Sequence, residues 1–166
     1  YSKEKVFISD VEMIESYKPT SSQTILSKSG YDLVPYVSNF FPAGMGKISF
    51  YSEIYNSDLI FGKEEKYLVN YFIETHETGK ALHNFRGFLR QTANPVNVIL
   101  TGLNIESLPS GNYDLVIEVR NKNNELKADK RVFFQRSNPE FQMKAEDISI
   151  VNITGTFVDN INNRDT

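Results

Sequence analysis

Leu108-Pro109-Ser110-Gly111-Asn112-Tyr113-Asp114-Leu115-Val116-Ile117-Glu118-Val119-Arg120 is the stretch whose reading decides the fold. Leu108 to Asn112 is a turn by its Pro and Gly, and Tyr113, Leu115, Ile117 and Val119 then alternate with Asp114, Val116, Glu118 and Arg120. That period of two describes a strand with one buried face, and it predicts that Asp114, Glu118 and Arg120 are exposed. Asn121-Lys122-Asn123-Asn124 turns the chain back into Leu126 to Phe134, so the two arms form a β-hairpin. Neither arm carries a catalytic signature.

Upstream, the same pattern repeats. Val6 to Ser16, Leu33 to Val37, Ile48 to Tyr55, Tyr67 to Thr75, Leu82 to Arg90 and Val96 to Leu100 all read as extended segments, separated by turn or polar connections. Pro35 removes a ladder donor, which places it at an edge or a bulge. Lys18 to Gly30 reads as a long connection, Asn39 to Gly46 as a loop, and Asn56 to Lys66 as a polar connection interrupted by Leu59, Ile60 and Phe61. The hairpin and these segments make about seven strands and no long helix. The expectation is an all-β chain, an immunoglobulin-like or fibronectin III-like antiparallel β-sandwich.

Composition narrows the function classes. The 166 residues carry 18 Lys plus Arg against 21 Asp plus Glu, a net charge of -3 without blocks of one sign, which disfavours nucleic acid as a partner. There is no cysteine, which removes disulfides, thiolate metal sites and cysteine nucleophiles together. No apolar run is long enough to span a bilayer, so no membrane insertion is expected within this chain. The start at Tyr1 fits a trimmed fragment or a mature form, from which any targeting segment would already have been removed.

Candidate sites are few. Pro109, Gly111 and Tyr113 fit a tyrosine corner, in which the hydroxyl bonds back to upstream backbone and closes one end of a sandwich; a plain hairpin turn with a buried tyrosine fits equally well. Phe40 and Phe41 in a Pro/Gly loop, with Tyr51 and Tyr55 on the outward parity of the next strand, make a candidate partner-binding patch. The competing assignment has Phe40 and Phe41 plug the open end of the sandwich. Glu74 and His76 share one strand face, but a zinc site needs three or four ligands, and a solvated face beside a turn accounts for them better. No nucleophile elbow, phosphate loop or metal-ligand spacing occurs, so no catalytic residue, metal or cofactor is expected.

The order of pieces resembles the N-terminal β-sandwich region of GWxTD-domain proteins, a family of uncharacterised, mostly Bacteroidetes proteins. Lys5 to Asp10, Gly30 to Tyr36, Tyr113 to Arg120 and Phe133 to Pro139 carry the likeness, and Thr156 to Asp159 through Thr166 looks like the start of that family's helical C-terminal region. The Gly-Trp-x-Thr-Asp signature itself is absent, as it must be in a chain without tryptophan. The resemblance implies a sandwich domain over residues 1–137, a connector over 138–166 leading to a C-terminal region beyond this chain, and an extracytoplasmic location in a bacterial periplasm or envelope. The family assigns it no chemistry, and the expectation is a non-catalytic immunoglobulin-like structural or protein-binding module, whose partner is another protein or that C-terminal region. The alternative is a carbohydrate-binding or accessory domain of an envelope enzyme, with Tyr51, Tyr55 or Tyr71 stacking on sugar. Nothing in the pattern specifies the oligomeric state.

Overall fold

A computed structural model of the chain describes residues 4–21, 27, 28 and 30–142; the proposed connector beyond Gln142 lies outside the described residues. Among the described residues eleven strands and one short helix follow in order: β1 (Phe7–Ile8), β2 (Glu12–Pro19), β3 (Ser27–Lys28), β4 (Tyr31–Pro35), β5 (Phe40–Phe41), β6 (Lys47–Tyr55), α1 (Ser57–Phe61), β7 (Lys66–Thr75), β8 (Ala81–Thr92), β9 (Val96–Asn104), β10 (Gly111–Arg120) and β11 (Leu126–Arg136). They form two sheets packed as an all-β sandwich. In one, β6 pairs with β9 along its whole length, and with β1 and then β2 on its other side, after which β4 and β3 extend the sheet. The other runs β5-β11-β10-β7-β8. Among the described residues no helix is long and apolar enough to cross a membrane.

The core lies between the sheets. Ile48, Phe50 and Ile54 of β6 and Ile99 and Leu103 of β9 face Val69, Tyr71 and Ile73 of β7 and Leu115, Ile117 and Val119 of β10. Tyr113, Leu115, Ile117 and Val119 are all buried, because alternation sends every second side chain to the same face. The opposite parity departs from expectation: Asp114 is buried, and Glu118 and Arg120 are half-buried. β10 is the central strand, and its outward side chains are flanked on both sides by long neighbours. Val116 stands between Arg131 and Phe72, and Asp114 between Phe133 and Glu74. Neighbouring side chains, rather than a third layer, cover that face.

Three connections and one expected strand also differ from expectation. β2 runs on to Pro19 and β3 forms inside the stretch 18–30, so that stretch is partly paired. Phe40–Phe41 is not loop but a short strand parallel to β11, with Phe40 beside Gln135 and Phe41 beside Arg136. Residues 56–66 contain α1. Val6 to Ser16 is broken over residues 9–11 into two strands that share one side of β6. Pro35 sits opposite Ile14, where the β2–β4 register shifts, a bulge that tolerates its missing donor.

Candidate interaction surface

The two ends of the sandwich are built differently. At the end where β10 begins, the Tyr113 hydroxyl donates to the Pro109 carbonyl at 2.8 Å, and a side chain at Gly111 would crowd that hydroxyl at 3.1 Å. Burial pushes the Tyr113 hydroxyl pKa up to about 12, with Arg136 opposing the rise. Arg136 follows Val132 and Phe134 on the inward parity of β11 and is 3% exposed. Its guanidinium donates to Leu108 O at 3.2 Å, Ile105 O at 2.8 Å, Pro42 O at 2.8 Å and Met45 O at 2.6 Å, so one cation gathers two loops through four carbonyls. Burial holds its pKa below that of a free guanidinium, which still leaves it charged. Asn138, also buried, donates from its side chain to Glu106 O and Leu108 O and continues the same bolt one residue beyond the proposed domain limit at 137.

The opposite end holds α1 and the β10–β11 turn. Ser57 Oγ bonds Asn97 Oδ1 at 2.7 Å and Asn94 O at 2.9 Å, and the Phe61 ring packs on Tyr67 at 5.0 Å between centroids. Those two anchors fix α1 with Leu59 59% and Ile60 36% exposed. Asn121 Oδ1 accepts the backbone N–H groups of Asn123 and Glu125, which stiffens the neighbouring turn. Non-glycine residues with left-handed backbone, Asn56, Glu64 and Asn124, all lie in these two connections. Such conformations cost energy that the surrounding structure must hold, and they concentrate at sites of contact. Between the connections lie a cleft of about 290 Å³ lined by Lys66, Leu68, Arg90, Lys122 and Asn124 and an adjoining one of about 140 Å³ that includes Ile60 and Phe61.

The aromatic set read from the sequence is not one patch. Phe41 is 2% exposed and packs against Tyr36 and Phe134 in the core, while Phe40 stays exposed at the sheet edge. Tyr51 and Tyr55 belong to the other sheet. Tyr51 is 3% exposed there, in a small outer cluster with Ile14 and Leu33 that Tyr31, Val98 and Leu100 border, and both tyrosine hydroxyls donate to Glu53. Tyr71 is a core residue, its hydroxyl 3.1 Å from Thr101 Oγ1. His76 Nδ1 meets Asp114 Oδ1 at 3.0 Å, whereas Glu74, its neighbour on the strand face, is taken by Arg131 at 2.9 Å. Among the described residues no group of three metal-ligating side chains occurs.

Sequence reasoning missed both Arg136 and the α1 end. An arginine on the inward parity after Phe134 was the available signal for the first. The apolar Leu59-Ile60-Phe61 in a polar connection was the signal for the second.

No family model and no curated protein matches this chain. Among solved structures it is similar to FetP from uropathogenic E. coli strain F11, recombinantly expressed in the periplasm of E. coli BL21(DE3), at 12% identity and a TM-score of 0.26, covering 81% of this chain and 97% of that one. A likeness at that score carries no argument about the site.

Proposed function

We propose that this chain is a non-catalytic immunoglobulin-like module that binds another protein, within the bacterial envelope protein that the GWxTD resemblance implies. The observation that carries the proposal is Leu59 and Ile60, held outward on a helix of little more than one turn beside a cleft. Exposed apolar side chains fixed by polar anchors at a loop-bearing end suit contact with a partner, because little ordering entropy is left to lose on binding. The sugar-stacking alternative has less to draw on. Tyr51 and Tyr71 are buried and offer no ring face, which leaves Tyr55 half-buried beside Glu53.

The test is a photo-cross-linkable residue at position 59 in the whole gene product, in its source cells, with the same residue at exposed Glu15 as control. Defined polypeptide adducts are expected from position 59 and not from position 15. Equal adducts from both positions, or none from 59, contradict the proposal.

A further inference from the structure

Near the centre of the outer face of the five-stranded sheet, the arginines are paired with carboxylates. Arg131 reaches Glu74 and Asp129, Arg120 reaches Glu118 at 3.0 Å, and His76 reaches Asp114. On β8, Arg86, Phe88 and Arg90 share the outward parity, opposite Phe72, Asn70 and Leu68 of β7. Phe88 is 65% exposed, and neither arginine beside it makes an ion pair among the described residues. A groove of about 570 Å³ runs along this column between Asn70, Phe72, Arg86, Phe88 and Glu118, the last already held by Arg120. It leads toward the cleft at the α1 end, where Arg90 and Lys122 lie together.

We infer that β8 is a docking ledge for an extended acidic segment of a partner protein, laid along residues 86–90 with carboxylates on Arg86 and Arg90 and an apolar side chain on Phe88. Uncompensated cations on a chain of net charge -3 select an anionic partner. β8 is also the outermost strand of its sheet among the described residues, so its outward backbone groups match those of an added strand, which favours polypeptide over anionic glycan. A second copy pairing about Phe88 would set Arg86 opposite Arg90, a repulsive cross-strand pair. The inference rests on the contact function proposed above and names the partner's chemistry.

The probe is a short fluorescent peptide in which Glu and Val take turns at every second position with Thr between them (Glu-Thr-Val-Thr-Glu), so that one strand face presents carboxylate, apolar and carboxylate groups; it is titrated into the whole chain by anisotropy and by backbone amide shifts. Saturable, salt-weakened binding is expected, with shifts over residues 84–92. The R86E/R90E variant should bind it about tenfold more weakly, the loss expected from reversing two exposed charges, and should take up the matching Lys–Val peptide instead. No saturable binding, binding that survives the charge reversal, dimerisation that the variant abolishes, or binding of polygalacturonate in place of the peptide would each overturn it. The two proposals fail separately. Adducts at position 59 without peptide on β8 remove this inference alone, whereas no adducts at 59 remove the proposed contact at α1 whatever β8 binds.

Discussion

Arg136 and Tyr67 are opposite cases of a buried polar group. Arg136 has every arm of its fork matched to a carbonyl, and lysine, a point charge with a different reach, cannot reproduce that geometry. We expect Arg136→Lys to lose about 2 to 4 kcal/mol in a urea titration, since a hydrogen bond from a charged donor contributes about 1.5 to 3 kcal/mol and lysine cannot keep all four; a loss near zero would count against the bolt. Tyr67 is 2% exposed, and among the described residues its hydroxyl has no hydrogen-bond partner. Burial drives its pKa far above the phenol range, and although Ser57 opposes the shift, that hydroxyl is committed to Asn94 and Asn97. Tyr67→Phe should therefore be neutral or stabilising by thermal melt, because it removes a buried group that is desolvated without compensation. Tyr113 supplies a pH dependence. Below pH 10 its phenol is protonated in both folded and unfolded chains, so its burial carries no pH penalty. Between 10 and about 12 the unfolded chain ionises first, and stability falls with rising pH by about 1.4 kcal/mol per unit from this group. Tyr113→Phe should flatten that alkaline limb; an unchanged slope would show that the hydroxyl is not held neutral.

At the scale of elements, the alternation from Tyr113 to Val119 was legible because β10 buries one parity completely, and Leu115→Ala should cost about 2 to 5 kcal/mol. A cost near zero in denaturant would contradict its place in the core. What periodicity does not encode is the number of neighbours a strand acquires. Asp114, Glu118 and Arg120 are polar in sequence yet sheltered, because β7 and β11 flank β10 on both sides. For the same reason Phe40–Phe41, two residues between Pro- and Gly-bearing turns, could not be read as a strand: it exists through pairing with β11, more than ninety positions later. Two glycines mark close approaches that composition alone does not reveal. A Cβ at Gly102 would stand 2.4 Å from the Ile48 carbonyl, and at Gly87 it would meet the Tyr71 ring at 2.6 Å. Gly102→Ala should be the more damaging, as backbone yields less than a side chain; equal melting temperatures for the two variants would refute that ranking.

Over the whole molecule, the buried polar fastening and the proposed contact surface lie at opposite ends. The corner end gathers Tyr113, Arg136 and Asn138 onto the backbone of residues 42–45 and 105–109. The α1 end carries exposed Leu59 and Ile60 and the left-handed Asn56, Glu64 and Asn124. The sandwich was legible because strand periodicity is local, whereas the candidate surface was not, since it arises only when residues 57–66, 90 and 121–124 meet in space. Tyr51 and Tyr55, the tyrosines that stand out in the sequence, belong to the other sheet and do not line those clefts. Native-state hydrogen exchange, residue by residue, tests this segregation most directly, because amides released only by global unfolding report the structural frame and those released by local opening report the rest. The amides of Ile105, Leu108, Gln135 and Ser137, bonded to Gly46, Ile105, Asn39 and Phe41, should exchange at or near the global free energy. Those of Leu59, Ile60 and Asn124 should open locally at a clearly lower one. Equal protection at both ends, or stronger protection at the α1 end, would contradict the account.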